Sequence, residues 1–255
     1  MKVDVLISPS ELSSVDLRGM AVVVVDVLRA TSTIVTALAN GAAEVVPVET
    51  PEEALRYRLG DPAALACGER GGKPVEGFDL GNSPLEYTPE RVEGRRIYLT
   101  TTNGTEAIRK AFERGAGEVL IGAFLNLSSV CDELRRRGRD IALICAGKEG
   151  RAGLEDLVFC GRCIERLGDE AELTDGAVIA RIVSRSFADV KEALLSSQHG
   201  RYLVSIGFER DIDFCAREDL FDLLPTAEPG DLIRITASPR CPTAPSQAPP
   251  RGCRA

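Results

Sequence analysis

Residues 21–41 read AVVVVDVLRATSTIVTALANG, and this stretch sets the fold class. Its first five residues are apolar, mostly β-branched and free of polar alternation, which is typical of a parallel strand buried on both faces. A polar turn follows this run. Residues Thr31–Asn40 have the apolar spacing of a helix, which Gly41 ends, and a second apolar run follows at Glu44–Val48. A strand, a helix and a strand in this order predict a βαβ unit.

The same alternation of strand and helix continues along the chain. Further strands are predicted at Val3–Ile7, Arg96–Leu99, Glu118–Ile121 and Ile141–Cys145, and further helices at Thr105–Arg114 and Leu154–Leu167. Because βα alternation builds a parallel sheet with helices on both faces, we expect an α/β fold. Its architecture is predicted to be three-layer α/β/α around a mostly parallel sheet.

Two of these units match each other at a shift of 74 residues. DVLRAT (26–31) aligns with TTTNGT (100–105), and GAAEV (41–45) aligns with GAGEV (115–119). The alternative is that two unrelated βα units share this spacing because both need a turn and a closing glycine. We predict a duplicated strand–turn–helix–strand unit.

The chain is predicted to hold one catalytic domain and a tail. Residues 1–235 form the α/β domain, of which 170–225 reads mainly helical. The last segment, 236–255 (TASPRCPTAPSQAPPRGCRA), is rich in Pro, Ala and Ser and has no apolar periodicity. Such a segment cannot bury a core, and we expect it to be disordered.

Composition excludes several classes of protein. The 255 residues carry a net charge of −8, which argues against a nucleic-acid partner, since phosphate backbones are bound by a surplus of Lys and Arg. The single histidine, His199, cannot build a His-rich zinc site. Eight scattered cysteines in a chain of this length predict reduced thiols. With no apolar leader or membrane-length run, we expect a cytoplasmic protein with no membrane contact, while the sequence leaves a homo-oligomer open.

Three predicted strands are each followed by a polar turn at the same edge of the sheet, where open α/β proteins bind their ligands. The turns are 26–33, 100–105 and 146–156. The first two begin helices, whose free N–H groups attract anions, and Arg29 adds a planar fork suited to phosphate. Simple capping of the helices by Thr31 and Thr105 is the alternative. Two such turns and an arginine favour a phosphate site.

Carboxylates recur at the same edge. Asp26 ends an apolar strand, where an unpaired charge would be costly, and Glu155 and Asp156 begin a helix. A few hard oxygen ligands beside a phosphate are what Mg²⁺ uses, so these three residues are the predicted metal ligands. Glu69 and Asp79 lie in the long segment 61–95 and are candidates for proton transfer. For Glu155 and Asp156, the alternative is complementarity to the helix dipole.

A second chemistry stays open at Cys145. CAGKEGR (145–151) matches C-x₅-R, the spacing of the phosphate loop in thiolate phosphatases, and it lies between a predicted strand and helix. Cys131 and Cys160 match the same spacing inside predicted helices, so the pattern also arises by chance.

Six segments in order resemble the 2-phosphosulfolactate phosphatase family. They are VDVLRATSTI (25–34), GERGG (68–72), GFDLGNSP (77–84), TTNGT (101–105), CAGKEG…EDLVFCG (145–161) and SQHGRYLVSIGFERDIDFCA (197–216). The resemblance runs from about residue 3 to Pro225. It implies an α/β fold and a Mg²⁺-dependent phosphatase that hydrolyses 2-phosphosulfolactate, or a related 2-hydroxy-acid phosphate, to the hydroxy acid and phosphate. In archaea and some other organisms this step belongs to coenzyme M synthesis.

The turns and the resemblance together give a list of expected site residues. The catalytic candidates are Asp26, Arg29, Glu69, Asp79 and, in the thiolate alternative, Cys145. The residues expected to bind substrate are Thr31, Ser32, Arg70, Asn82, Thr102, Asn103, Gly104 and Thr105. The metal candidates are Asp26, Glu155 and Asp156, with Mg²⁺ as cofactor. A small, multiply anionic substrate needs local cations, and Arg29, Arg70, Lys73, Lys148 and Arg151 all lie on segments expected at this edge. A non-catalytic protein that binds phosphorylated metabolites is the other alternative.

Overall fold

The computed structural model describes residues 1–239 of the chain. They form one eleven-stranded sheet with helices packed on it. The strands are β1 Lys2–Leu6, β2 Ala21–Val25, β3 Glu44–Pro47, β4 Leu65–Arg70, β5 Lys73–Pro74, β6 Arg96–Thr100, β7 Val119–Gly122, β8 Ile141–Cys145, β9 Glu172–Leu173, β10 Leu223–Glu228 and β11 Arg234–Pro239. The α-helices are α1 Ala30–Ala39, α2 Pro51–Gly60, α3 Pro89–Val92, α4 Gly104–Glu113, α5 Leu127–Arg137, α6 Leu154–Leu167, α7 Asp175–Arg185, α8 Val190–Ser196, α9 Gln198–Ser205 and α10 Glu209–Cys215. Three short 3-10 helices lie at Pro9–Ser14, Pro84–Glu86 and Phe124–Asn126.

The sheet has the order β5-β4-β6-β3-β11-β10-β7-β2-β8-β1-β9. One parallel group joins β7, β2, β8, β1 and β9, and a second joins β3, β6 and β4. Between the two groups lies the antiparallel hairpin of β10 and β11, which pairs with β7 on one side and β3 on the other. The predicted mostly parallel sheet and α/β class are confirmed.

Strand β2 shows why its sequence lacks polar alternation. All five of its side chains are buried. Val22 and Val24 pack into one apolar core, whereas Ala21, Val23 and Val25 pack into another on the opposite face. Because successive side chains of a strand point to opposite faces, only a strand covered by helices on both sides is apolar at every position. The two cores correspond to the predicted three layers.

The two matched units have closely corresponding bounds. Helices α1 and α4 begin at residues 30 and 104 and end at residues 39 and 113, which preserves the predicted shift of 74. Strands β2 and β6, however, end at residues 25 and 100. The turn between strand and helix is therefore one residue shorter in the second unit, and the counterpart of Asp26 is Thr101. Origin by duplication stays a prediction.

The units pair reciprocally within the sheet. Strand β2 of the first unit pairs with β7 of the second, and β6 of the second pairs with β3 of the first. Helices α1 and α4 meet where they begin: a Cβ atom on Gly104 would lie 2.6 Å from the Cβ of Ala30 and 2.7 Å from Oδ2 of Asp26. Only glycine lets these helix starts approach so closely. This contact brings the two polar turns together.

The C-terminal part differs from prediction in one element. Helices α7–α10 occupy most of the segment predicted to be mainly helical. The hairpin β10–β11 was not predicted, and β11 extends to Pro239 although a tail was expected from residue 236. Strand β10 is hard to recognise from the sequence alone, because one of its three buried positions, Leu223, Pro225 and Ala227, is a proline. Residues 240–255 of the predicted tail lie outside the described part of the chain. Within residues 1–239, no helix has the length and apolarity needed to cross a membrane.

Candidate active site

A cavity of about 260 Å³ lies where strands β2, β4, β6 and β8 end. We call it the inner cavity. Its lining residues are Asp26, Leu28, Arg29, Glu69, Gly71, Gly72, Asn82, Thr102, Asn103, Lys148, Glu149, His199 and Tyr202. An adjoining cavity of about 290 Å³, the outer cavity, shares three of them and is lined by Lys148, Glu149, Arg151, Ala152, Gly153, Leu154, Glu155, Gln198 and His199. The expected carboxyl edge of the sheet is therefore concave and polar.

Four buried carboxyl groups gather beside the two cavities. Asp26, Glu69, Glu155 and Asp156 have exposed fractions of 7, 6, 4 and 2%. Burial and the neighbouring Glu69 charge raise the pKa of Asp26 to about 7, although a hydrogen bond from the Ala30 N–H opposes both effects. Burial also raises the pKa of Glu155, and the pKa of Asp156 lies well above its usual value. Negative charge is concentrated here.

Asp156 fastens two of the polar turns. Its Oδ1 accepts a hydrogen bond from Val27 N at 2.9 Å, and its Oδ2 accepts one from Gly147 N at 3.0 Å. Asp156 lies in the first turn of α6, where the helix dipole favours a carboxylate. The turn after β2 and the turn after β8 are thus held on the same side of the site.

Glu69 fastens two others. Its Oε2 accepts a hydrogen bond from Gly72 N at 2.6 Å, and its Oε1 accepts bonds from Thr102 N at 2.7 Å and Thr102 Oγ1 at 2.9 Å. These bonds join the turn after β4 to the turn that precedes α4. Glu69 therefore stands between the two matched units, close enough to Asp26 to affect its pKa.

Arg29 lies at the inner cavity, but its charge is already compensated. Its Nη1 donates to Asp211 Oδ2 at 2.6 Å and its Nη2 to Gly72 O at 2.7 Å, and its guanidinium lies 4.2 Å from the ring centre of Phe208. Both side chains of the ion pair are buried, at 2 and 3% exposure. Asp211 also accepts a hydrogen bond from Ser83 Oγ at 2.7 Å. Arg29 thereby anchors helix α10 to the start of α1.

Asp211 and Tyr202 are site residues that sequence reasoning missed. Asp211 lies in a stretch with several acids, and nothing local distinguishes the buried one from its exposed neighbours. Tyr202 donates from its hydroxyl to Gly71 O at 2.8 Å, and Lys148 Nζ lies 4.5 Å from its ring centre. The shared segment 197–216 was the available signal, because it covers both residues.

His199 forms the wall between the inner and outer cavities. Its ring is stacked on that of Tyr202, with centres 6.2 Å apart. Burial and the positive charges of Lys148 and Arg29 together lower the pKa of His199 to about 4. The imidazole is therefore neutral at neutral pH. Its Nδ1 is buried and has no hydrogen-bond partner among residues 1–239.

The structure brings six of the expected residues to the inner cavity and places two more beside it. The six are Asp26, Arg29, Glu69, Asn82, Thr102 and Asn103. Gly104 packs against Asp26, and Glu155 lines the outer cavity. Within the described residues, the buried Oδ1 of Asn82 has no hydrogen-bond partner, although Asn82 lines the cavity. A buried amide oxygen is normally satisfied, so a bound group or water is expected there.

The other expected residues lie elsewhere. The buried hydroxyls of Thr31 and Ser32 donate to Asp26 O and Val27 O, so they brace the turn before α1 and neither caps the helix nor faces the cavity. Arg70 and Thr105 line a separate cavity of about 390 Å³ beside β3 and α4.

Asp79 does not reach the inner cavity either. Its carboxylate accepts hydrogen bonds from Arg58 Nη2 and from Ala66 N, each at 2.9 Å. These bonds hold the segment after β5 against α2 and β4. A role in proton transfer would need Asp79 at the cavity, where the structure does not place it.

The thiol of Cys145 points into the core. It is fully buried, its Sγ lies 3.7 Å from the Sγ of Cys160, and it lines neither cavity. The neighbouring Cys160 and burial raise the pKa of Cys145 well above its usual value. A thiolate nucleophile needs the opposite environment, accessible and electropositive. The geometry does not favour the thiolate alternative.

The donors present fit a hard divalent cation. Four carboxyl groups are buried together, while Arg29 is already paired with Asp211. Within residues 1–239, no three His, Cys, Asp or Glu side chains form a ready-made metal cage. Mg²⁺ does not require one, since it is commonly held by one or two carboxylates together with waters and a substrate phosphate. Of the four acids, Asp26 and Glu69 line the inner cavity, and Glu155 lines the outer cavity.

Comparison with known proteins agrees with this geometry. The family model described as 2-phosphosulpholactate phosphatase matches residues 6–230. A protein of Thermotoga petrophila named probable 2-phosphosulfolactate phosphatase is 47% identical over 232 residues, which cover 91% of this chain and 97% of that protein. Proteins with the same name from Thermotoga maritima and Deinococcus radiodurans are 46 and 44% identical, covering 91 and 82% of this chain and 97 and 88% of theirs. The chain belongs to the 2-phosphosulpholactate phosphatase family.

Proposed function

We propose that this chain is a Mg²⁺-dependent phosphatase that hydrolyses 2-phosphosulfolactate, or a related 2-hydroxy-acid phosphate, to the hydroxy acid and phosphate. The reaction class, phosphoric monoester hydrolysis, follows from membership of the family and from the names of its similar bacterial relatives. The observation that carries the mechanism is the group of four buried carboxyls beside a turn rich in neutral donors. A cytoplasmic location and a place in coenzyme M synthesis stay predictions.

Asp26, Glu155 and Asp156 are the residues proposed to hold Mg²⁺. Each carboxylate oxygen of Asp156 accepts one hydrogen bond from a backbone N–H. Asp156 therefore also holds in place the turns that carry Asp26 and Glu155. When bound, Mg²⁺ would neutralise charge on the phosphoryl oxygens. This need explains why buried carboxyls with raised pKa values are retained at the end of an otherwise apolar strand.

Neutral donors around the inner cavity are proposed to orient the phosphoryl group. Asn82, Thr102 and Asn103 line it, and Asn103 Oδ1 accepts a hydrogen bond from Glu149 N in the turn after β8 at 3.3 Å. Hydrolysis of phosphate esters depends mainly on positioning and charge stabilisation. Such donors act without adding charge to a site that must also accept a cation.

Proton transfer is assigned to Glu69, a buried carboxyl that lines the inner cavity and is not among the proposed metal ligands. As an acid it can give a proton to the leaving oxygen, and as a carboxylate it can accept one from the attacking water. Glu69 thereby takes the role that the sequence offered to Glu69 or Asp79.

The test is a phosphate-release assay with 2-phosphosulfolactate and other 2-hydroxy-acid phosphates, with added Mg²⁺ and with chelator. We expect turnover that chelation abolishes and that Mg²⁺ restores. Activity that survives full chelation would contradict the metal assignment. Cys145→Ser is expected to retain a substantial fraction of the activity; complete loss with a folded protein would favour the thiolate alternative. No release from any ester in the presence of Mg²⁺ would favour a binding protein.

A further inference from the structure

The outer cavity contains polar groups that the proposed reaction leaves unused. Lys148, Glu149 and His199 belong to both cavities, so a ligand whose phosphoryl group lies in the inner cavity can extend into the outer one. Arg151 and Gln198 line the outer cavity only. The volume of about 290 Å³ is sufficient for a small charged group with its waters.

Two cations of the outer cavity are held side by side by the backbone. Lys148 N donates to Arg151 O at 3.0 Å, and Arg151 N donates to Lys148 O at 2.9 Å. The two residues between them, Glu149 and Gly150, have φ angles of 51° and 77°, as in a tight two-residue hairpin turn. Directly opposed residues of an antiparallel bridge place their side chains on the same face. The turn therefore presents both basic side chains together.

Neither cation forms an ion pair within residues 1–239, although Lys148 lies over the Tyr202 ring and its charge lowers the pKa of Glu155. Among the ion pairs of residues 1–239, none involves Lys148 or Arg151. Arg29, by contrast, is buried against Asp211. Two carboxyls, Glu149 and Glu155, face the same cavity, and Glu155 belongs to the acidic cluster assigned to the metal. The cations of the outer cavity are thus the ones available to a ligand.

An unsatisfied polar atom lies at the same place. His199 lines both cavities, and its buried Nδ1 has no partner within the described chain. A neutral imidazole has a single N–H, and the backbone of Leu28 competes for it, so His199 meets an anionic oxygen directly when that N–H is on Nδ1 and through a bridging water when it is not. A buried polar atom without a partner is costly, so a ligand that satisfies it gains affinity.

We propose that the outer cavity binds a second oxyanion of the substrate, a carboxylate or sulfonate, through Arg151 and Lys148, with His199 as a neutral partner. This inference rests on the proposed function, since it assumes that the phosphoryl group occupies the inner cavity. A chain with a net charge of −8 does not attract a multiply charged anion by its overall field, so recognition depends on local cations. The planar Arg fork matches either oxyanion. Arg151 is therefore a specificity-determining residue.

The test compares Arg151→Gln and Lys148→Gln with the wild type on three esters: 2-phosphosulfolactate, 2-phosphoglycolate, and p-nitrophenyl phosphate. The first has a carboxylate and a sulfonate, the second only a carboxylate, and the third neither. We expect each variant to lower kcat/KM for 2-phosphosulfolactate by roughly tenfold more than for p-nitrophenyl phosphate, mainly through KM. If kcat/KM for 2-phosphoglycolate falls as much as that for 2-phosphosulfolactate, relative to p-nitrophenyl phosphate, the carboxylate is the bound group. If only kcat/KM for 2-phosphosulfolactate shows this larger fall, the sulfonate is the bound group. Arg56→Gln, an exposed arginine of α2, is the control for loss of charge.

A second measurement separates this inference from the proposed function. Calorimetric titration of the wild type and Arg151→Gln with sulfolactate, the dephosphorylated acid, reports binding of the second oxyanion without turnover. Weaker binding by the variant supports the subsite even if no ester is hydrolysed. Equal binding by both proteins, no binding by either, or equal loss of kcat/KM on all three esters would overturn it.

Discussion

The turns that precede helices α1 and α4 occupy matching places in two matching units, and their chemistry differs. In both, a threonine hydroxyl of the helix donates to the residue after the strand: Thr31 to Asp26 O at 2.9 Å, and Thr105 to Thr101 O at 3.1 Å. The first turn contains Asp26 and Arg29, whereas the second contains only hydroxyl and amide side chains. The same backbone arrangement thus supplies charge on one side of the inner cavity and neutral donors on the other.

This difference has an energetic consequence. The charged turn is expensive to fold, because Asp26 is buried with a raised pKa and Arg29 needs a buried partner on α10. In the neutral turn, Thr105 N donates locally to Thr101 Oγ1, and Thr102 N donates to Glu69 on β4. Chemistry is therefore expected to reside in the first turn, whose buried charges depend on distant partners.

Exchange of Asp26 for Asn is expected to have the largest effect. Asp26→Asn removes a proposed metal ligand, and we expect kcat to fall on the order of 10³-fold. Thr101→Val, at the matching position, removes only a helix-capping hydroxyl and is expected to lower kcat by less than about tenfold. Phosphate release with saturating Mg²⁺ is the measurement. Comparable losses in the two variants would show that the turns do not differ in role.

Loss of the Arg29 charge is expected to cost stability. Arg29→Met leaves Asp211 buried without its cation, and we expect the free energy of unfolding to fall by about 3–5 kcal/mol. Asn103→Ala, in the second turn, should cost below about 1 kcal/mol, because its side chain makes no capping bond to its helix. Denaturant unfolding measures both. If Arg29→Met/Asp211→Leu is no more stable than Arg29→Met, the uncompensated charge is not the cause.

The contact between the two helix starts can be broken at Gly104. Gly104→Ala places a Cβ 2.6 Å from the Cβ of Ala30 and 2.7 Å from Asp26 Oδ2, so we expect a loss of about 1–3 kcal/mol in unfolding free energy. Ala30→Gly alone should cost about 0.5–1 kcal/mol. The double variant should recover part of the stability lost on adding the methyl group, and little of the activity, because the clash with Asp26 remains. Additive stability changes would contradict a direct contact.

The last expected effect is a difference in pH dependence. The pKa of Asp26 is raised to about 7 in the folded, metal-free protein from an ordinary value of 3.8. Between these values the folded state binds more protons than the unfolded state, so the stability due to this group is present at low pH and lost as pH rises through about 7. Asp26→Asn should therefore be more stable than the wild type at pH 8 in chelator, with a smaller gap at pH 4. If the unfolding free energies of the two proteins changed with pH in parallel, the raised pKa of the buried Asp26 would be contradicted.

Much of the fold was predictable because its signals are local. The apolar run Val22–Val25 indicates a strand that is buried on both faces. Gly41 and Gly115, which follow helices α1 and α4, have φ angles near 90°, a conformation that favours glycine. The hairpin β10–β11 was not predictable in the same way. It depends on filling the gap between β7 and β3, and a strand recruited by its neighbours needs no strong pattern of its own.

The candidate site was predictable to a lesser degree. Asp26 could be nominated because a polar residue after an apolar strand lies at the carboxyl edge of the sheet. Glu69 and Asp79 were nominated from the long segment 61–95 and Cys145 from its C-x₅-R spacing, but the structure turns Asp79 towards Arg58 and Cys145 towards Cys160. Which way a side chain faces near the end of a strand depends on its register within the sheet, and this register is a property of the neighbours.

The sequence by itself determined the α/β class and the family, and it predicted the edge at which a ligand is expected, because alternating elements and ordered motifs follow one another along the chain. Only the tertiary structure decided how charge is distributed within the site. Arg29 is compensated by Asp211, 182 residues away, whereas Lys148 and Arg151 carry no ion pair in the described part of the chain. Burial patterns repeat with the period of a helix or strand and can be read locally. Compensation of a buried charge depends on which distant group the fold brings within about 4 Å, and no local pattern encodes that distance.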